Sequence, residues 1–310
     1  MSPANDLPDH RTAARRRRRT PGPRPARAAG LLTAAVAALG VAVALGVAAA
    51  VAVPVAAPAG AAARGGPDPS GPWRELEPGL ELARFASSDT VHHDRGDLIV
   101  LRVDPHRWEL RLDGVCADAR RSPRSARGWC AELDLMAAVN AGMYQADRRS
   151  HVGFLRRDGR TVAGGVNDYL SAAAFQPLRP GLPPFRIFDL DETPLDQVVA
   201  DYGTVVQNLR LVKRPRDSRW TRRDRRWREA ALGEDSAGRA LLIECRTPLT
   251  MADLVDRLLA LPLDLVAAQH LEGGSEAQLH LAHPAVDPDL RAEGRWLSWP
   301  VPNVLGVARR

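Results

Sequence analysis

The chain has 310 residues with 45% hydrophobic, 26% charged and 5% aromatic side chains, 25 Gly, 25 Pro and 3 Cys, which excludes a disordered, collagen-like or disulfide-stapled protein. Its net charge of +6 is concentrated at the amino terminus, where nine Arg in residues 1–64 face only Asp6 and Asp9, so the remaining body is near neutral at −1. A near-neutral body lacks the basic footprint of a DNA-binding domain, and no nucleic-acid partner is expected.

In chain order, residues 1–27 form a basic leader containing the run Arg15 to Arg19, and residues 28–63 carry no charge at all. About 20 apolar residues span a bilayer as a helix, and flanking basic residues stay on the cytoplasmic side. The leader therefore predicts a single-pass transmembrane helix with the N-terminus cytoplasmic and the C-terminal domain periplasmic or extracellular. Small-residue sites such as Ala57-Pro58-Ala59 offer the alternative of secretion after signal cleavage. Residues 64–78, rich in Gly and Pro, read as a linker to a domain over 79–310.

Within that domain the expected strands are Leu80–Phe85, Asp97–Val103 and Trp108–Leu112, the last two joined by the turn Asp104-Pro105-His106. Export permits a disulfide, and Cys116 with Cys130 is the plausible pair, whereas Cys245 ends an apolar run and reads as a core thiol. No CxxC or HExxH occurs, and His92-His93 stand in a polar stretch that reads as surface, so no metal and no cofactor are expected. Leu133–Tyr144 is an apolar run, His151–Arg156 a strand ending at Asp158-Gly159, residues 165–200 irregular, and Thr204–Val212 a further strand. Then Arg239–Cys245, Thr250–Leu261 and Leu263–Leu271 read as strand, helix and strand. Met251, Leu254, Val255, Leu258 and Leu259 give the helix its 3.6-residue period, and Thr250 with Asp253 resembles a capping box. Ala277–Ala282 and Val301–Ala308 close the pattern as strands. The expected class is α+β: a single domain with a mixed β-sheet and a C-terminal βαβ unit, preceded by the transmembrane helix.

Four constellations could carry chemistry. The loop Glu272-Gly273-Gly274-Ser275-Glu276 follows a strand at the end where α/β sheets place ligands. Its glycines admit close backbone approach, and its two carboxylates are the pair that glycoside cleavage requires. A plain tight turn with solvated carboxylates is the competing reading. Asn140-Ala-Gly-Met-Tyr144 and Val205-Val-Gln-Asn208 each end an apolar run in amides able to hold a ligand hydroxyl or a loop backbone. Lys213–Arg228 holds nine basic residues against Asp217 and Asp224, with Trp220 and Trp227 interleaved. It reads either as a solvated run or as a polyanion contact, with Arg228, beside Ala230-Ala231-Leu232-Gly233, pointing inward.

Taken in order, Asn140-Ala-Gly-Met-Tyr144, His151-Val-Gly153, Val205-Val-Gln-Asn208, Arg228-Glu-Ala-Ala-Leu-Gly233, the βαβ unit and Leu271-Glu-Gly-Gly-Ser275 resemble the phosphodiester glycosidase family. The resemblance covers roughly Gly79 to Val307. It implies a hydrolase that releases a sugar, such as N-acetylglucosamine, from a sugar-1-phosphodiester. On that resemblance Glu272 and Glu276 supply acid and base chemistry and Arg228 binds phosphate. Asn140, Gly142, Gly153, Gln207, Asn208, Gly273, Gly274 and Ser275 contact substrate. The chain departs from the family's Leu-Asp-Gly-Gly-Gly-Ser at Glu272, which stands for Asp, and at Ser275-Glu276, which stand for Gly-Ser. The expected function is thus a membrane-anchored extracytoplasmic enzyme acting on an envelope glycan or glycolipid. Its alternative is a non-catalytic envelope protein that binds a glycan or anionic polymer with the same fold.

Overall fold

The computed structural model describes residues 72–85, 98–218, 220–221, 225–291 and 298–310. Every described residue belongs to one compact unit. The expected transmembrane segment 28–63 and His92-His93 lie outside the described residues; among the described residues no helix is long and apolar enough to cross a membrane.

Two β-sheets stack face to face. The smaller has four strands in the order β15 (Leu279–Leu281), β5 (Ala137–Asn140), β16 (Asn303–Arg309) and β4 (Trp108–Gly114). The larger has twelve strands. Its main path runs β1 (Trp73–Glu77), β2 (Leu80–Phe85), β3 (Leu98–Val103), β13 (Ala240–Leu249), β12 (Trp227–Asp235), β14 (Leu265–Gly273), β10 (Tyr202–Lys213), β6 (Leu155–Arg157) and β7 (Arg160–Ala163). Strands β8 (Leu170–Pro177) and β11 (Asp217–Ser218) pair with β10, and β9 (Phe185–Asp189) pairs with β8.

Alternation along the strands explains the layering, because successive side chains point to opposite faces. Ile99, Leu101, Leu232, Leu242 and Ala267 of the large sheet meet Leu112, Val139, Leu279, Leu305 and Val307 of the small one in the central core. The intervening Val100, Ala231, Leu241, Ile243 and Ala268 face outward and are covered by Leu254, Val255 and Leu258 of helix α3 (Met251–Ala260). Helix α1 (Ala126–Leu133) covers the outer face of the small sheet through Trp129, and α2 (Leu195–Asp201) closes the β8–β10 end with Val198. A last short helix, α4, spans Pro288–Arg291.

Helix α3 and its flanking strands form as expected, with the Thr250 side chain accepting from the Asp253 N–H at 3.1 Å. Strands β13 and β14 both pair antiparallel with β12, so they run parallel to each other with β12 inserted between them. The expected mixed sheet is therefore corrected: among the described residues its ladders are antiparallel. The sheet also begins before Gly79, inside the expected linker, because Trp73 is buried and packs edge-on against Phe85. Residues 165–200, expected to be irregular, hold β8, β9 and α2. Cys116 and Cys130 are not bridged. They belong to different layers, Cys116 to the core between the sheets and Cys130 to the cluster under α1. Cys245 is a buried core thiol, as expected.

Candidate active site

At the carboxyl end of β14, on the side of the large sheet that α3 covers, lies a cavity of about 590 Å³. Its walls are Met143, Leu209, Trp220, Arg225, Trp227, Met251, His270, Glu272, Gly273 and Gly274. Three local features build it. The β12–β14 register shifts between Ala230 and Ala231, opposite Glu272 and His270, so that Leu271 is an extra residue buried in the central core. Gly273 lies against Trp227 and Glu229: a Cβ there would stand 3.1 Å from Trp227 Cδ1 and 3.3 Å from Glu229 Oε2. The strand then breaks at Gly274, with φ +70°, into a single 3-10 turn over Gly274–Glu276.

Burial holds the Glu272 carboxyl above its ordinary range, opposed by the hydrogen bond it accepts from the Gly273 N–H at 3.1 Å and by the charge of His270. The carboxylates of Glu276 and Glu229 push in the same direction as burial. Glu276 accepts a hydrogen bond from the Tyr144 hydroxyl at 3.2 Å. Burial, followed by the charge of Glu276, raises the Tyr144 phenol well above its usual value and keeps it a donor. Behind Glu272, the fully buried Glu229 places Oε2 3.1 Å from His270 Nδ1, within ion-pair distance but away from hydrogen-bond alignment. Burial raises Glu229 too, against the opposing pull of His270 and the Trp227 indole. Three carboxyl groups, one imidazole and one phenol thus share this end of the sheet. Among the described residues no cluster of three or more His, Cys, Asp or Glu could hold a metal ion.

Of the sequence-predicted site residues, Glu272, Gly273 and Gly274 line the cavity and Glu276 stands beside it through Tyr144. Ser275 contributes its carbonyl, which accepts from the Trp299 N–H at 3.1 Å and from Gln278 Nε2 at 3.4 Å. Gly142 packs on Asn208 and Gly153 on Gln207 in buried polar contacts, Asn140 pairs with Gln278, and none of the five is among the cavity-lining residues. Gln207 Oε1 accepts from the Phe154 N–H at 3.0 Å, and its Nε2 donates to the Asn167 carbonyl at 2.9 Å. Asn208 Nδ2 donates to the Ala141 carbonyl at 3.0 Å, and the Gln278 N–H donates to Asn140 Oδ1 at 3.3 Å. Gly142 and Gly153 have no room for a Cβ, which would lie 2.1 Å from Asn208 Oδ1 and 2.7 Å from the Gln207 carbonyl respectively.

Arg228 does point inward, but from the opposite face of β12 to Glu229, and it is not among the cavity walls. Its Nη2 donates to Glu244 Oε1 at 2.5 Å and to the Ala277 carbonyl at 3.4 Å. Much of the remaining basic run is also engaged: Lys213 pairs with Asp191 and Glu192, and Arg214 with Glu234. Sequence reasoning singles out neither Glu229 nor His270. The available signal is His270 two residues before Glu272, which places both on one face of β14; Glu229 becomes relevant only once β12 is known to lie beside β14.

The phosphodiester glycosidase family model matches residues 134–308, more than half of the chain. The fold is similar to the catalytic domain of zebrafish N-acetylglucosamine-1-phosphodiester alpha-N-acetylglucosaminidase, solved in a form auto-inhibited by its pro-peptide. The TM-score is 0.56 at 15% identity, over 76% of this chain and 85% of that one. It is also similar to a hypothetical protein from Synechocystis, with a TM-score of 0.51 at 12% identity over 75% of this chain and 62% of that one. A search of curated proteins finds no match. With a fold of this kind and a family match running from Asp134, just after α1, into the closing strand β16, the chain belongs to the phosphodiester glycosidase family.

Proposed function

We propose that this protein is an extracytoplasmic hydrolase, anchored by its N-terminal segment, that cleaves a sugar-1-phosphodiester in an envelope glycan or glycolipid. The observation that carries the reading is the placement of Glu272 at a cavity in a chain of this family, with Glu276 beside it. The cavity size suits one sugar ring with its phosphate, and the indoles of Trp220 and Trp227 offer flat apolar walls to the ring. In hydrolysis the bond between the anomeric carbon and the bridging oxygen breaks, water supplies the new C–O bond, and a phosphomonoester departs. Glu272, its carboxyl kept towards the neutral form by burial, is suited to give its proton to the bridging oxygen. Glu276, oriented by the Tyr144 hydroxyl, is the second carboxylate and assists the attacking water. Arg225 at the cavity wall supplies positive charge near the phosphate.

The test is release of N-acetylglucosamine from a synthetic N-acetylglucosamine-1-phosphodiester by the full-length chain, compared with Glu272→Gln and Glu276→Gln. Loss of a carboxyl that acts in proton transfer lowers turnover by about 10²- to 10⁴-fold. Turnover that survives both substitutions together refutes the assignment. Binding of the substrate without turnover under the same conditions selects the glycan-binding alternative.

A further inference from the structure

Three carboxyl groups converge where an anionic phosphate has to bind, and Arg228 is turned away into an ion pair with Glu244. Among the described residues, the positively charged or chargeable groups in the cavity wall are Arg225, which is exposed, and His270, which is 5% exposed. Behind His270 sits Glu229, fully buried, with neither carboxyl oxygen in a well-aligned hydrogen bond and only the His270 ring and the Trp227 indole drawing on it among the described residues. An unsatisfied buried carboxyl is costly unless a cation stands against it, and His270 Nδ1 at 3.1 Å is in that position.

Imidazolium donates from both nitrogens, which lie on opposite edges of the ring. With Nδ1 turned to Glu229, Nε2 is left for an anion in the cavity. We propose that His270 is the buried phosphate-binding residue of this site and that Glu229 positions it. One ring nitrogen faces the protein's own carboxylate, and the other faces the substrate's phosphate. This rests on reading the cavity as a phosphodiester site. In the reaction His270 donates a hydrogen bond to a non-bridging phosphate oxygen as the C–O bond breaks, while proton transfer stays with Glu272. Glu229 Oε2, 3.1 Å from Nδ1, fixes the orientation of the ring so that the Nε2 edge is the one offered to the phosphate. The absent Cβ at Gly273 belongs to the same arrangement, since any side chain there would crowd Glu229 Oε2 and Trp227.

The experiment titrates the full-length chain with inorganic phosphate, and separately with N-acetylglucosamine as a neutral sugar, by calorimetry. The wild type is compared with His270→Gln, Glu229→Gln and Arg225→Gln. The expected result is at least a tenfold loss of phosphate affinity in His270→Gln and a threefold or greater loss in Glu229→Gln. Sugar affinity is expected to stay within twofold in both, a selectivity that general damage to the cavity would not preserve. Arg225→Gln weakens phosphate in a salt-sensitive manner without replacing the effect of His270. In the wild type, phosphate should also shift the ring resonances of His270, a readout that needs no variant to fold. Phosphate affinity unchanged in His270→Gln, or ring resonances unmoved at saturating phosphate, overturns the proposal. If that happens while the wild type still hydrolyses the sugar-1-phosphodiester, only the His270 assignment has failed. If phosphate binding follows His270 but no sugar phosphodiester is hydrolysed, the anion site stands and the hydrolase reading falls.

Discussion

Replacing Arg228 with Met separates an anion-binding role from a structural one. The Arg228 and Glu244 side chains are 11% and 3% exposed, and the pair is joined at 2.5 Å. Removing one partner of a buried pair costs about 3–5 kcal/mol, because the other charge is left without compensation. Here the loss is softened, since Glu244 Oε2 also accepts from Arg246 Nε at 3.0 Å. It is also deepened slightly by the Ala277 carbonyl, which loses its contact with Arg228 Nη2 at 3.4 Å. The expected cost is therefore about 2–4 kcal/mol, a large part of the roughly 5–15 kcal/mol available to a domain. Urea unfolding followed by fluorescence should show a lower midpoint at unchanged slope. The double variant Arg228→Met, Glu244→Met should recover most of the loss, because apolar side chains of similar volume replace a buried pair at little cost. A loss below about 1 kcal/mol, together with a tenfold rise in KM for a sugar-1-phosphodiester, would refute this placement and return Arg228 to the substrate.

Gly142→Ala should cost at least about 3 kcal/mol, since it adds strain at φ +138° to a Cβ placed 2.1 Å from Asn208 Oδ1; a thermal midpoint within 3 °C of wild type would contradict the packing. Burial raises the Glu272 carboxyl above the ordinary value of a glutamate, about 4.5, so the folded state holds its proton to higher pH than the unfolded chain does. Stability from this group is therefore present at low pH and is lost as pH rises from about 4.5 through the folded value. Glu272→Gln removes that loss, and its stability relative to wild type should grow from pH 4 to pH 8; a difference flat with pH would be inconsistent with the buried carboxyl. Burial pushes the Cys116 and Cys245 thiols up to about 12, and Cys130 is also buried. Ellman's reagent should therefore find no rapidly reacting thiol in the native protein and three after unfolding without reductant; one thiol after unfolding would show that two of the three are bridged and contradict the free cysteines.

What is legible in the sequence follows from what each signal depends on. Helix α3 is readable because its apolar period and its Thr250 cap are local, and β3 and β13 are readable because Val, Ile and Leu fill them. Strand β8, Leu-Ser-Ala-Ala-Ala-Phe-Gln-Pro, hides because Ala has little strand preference of its own, and tertiary contacts decide its state. Strand β12 hides for a related reason: it begins inside a basic run, and its centre is Ala-Ala-Leu-Gly. The cysteine spacing points to a bridge only while the fold is unknown, since it is the layering that sends Cys116 and Cys130 to opposite sides of the small sheet.

The candidate site divides along the same line. The turn chemistry and paired carboxylates of Glu272-Gly-Gly-Ser-Glu276 are visible in one short stretch. The charge that faces them is not, because it depends on parity. In a strand a one-residue offset moves a side chain to the opposite face, and Arg228 and Glu229 are neighbours on β12. The inward direction of Arg228 is readable from the apolar residues after it, but only the ladder shows that inward means the core between the sheets, where Glu244 waits. Glu229 is then the residue of β12 that reaches the cavity side, and alternation along β14, with Leu271 turned into the central core, puts His270 and Glu272 on that side too. Had the parity been reversed, Arg228 would meet Glu272 directly and oppose the upward shift that burial gives its carboxyl. The arrangement that turns Arg228 away from the cavity is thus the one that leaves burial to hold the Glu272 carboxyl above its ordinary range, and under the proposal above the phosphate meets His270, positioned by Glu229, instead of an arginine.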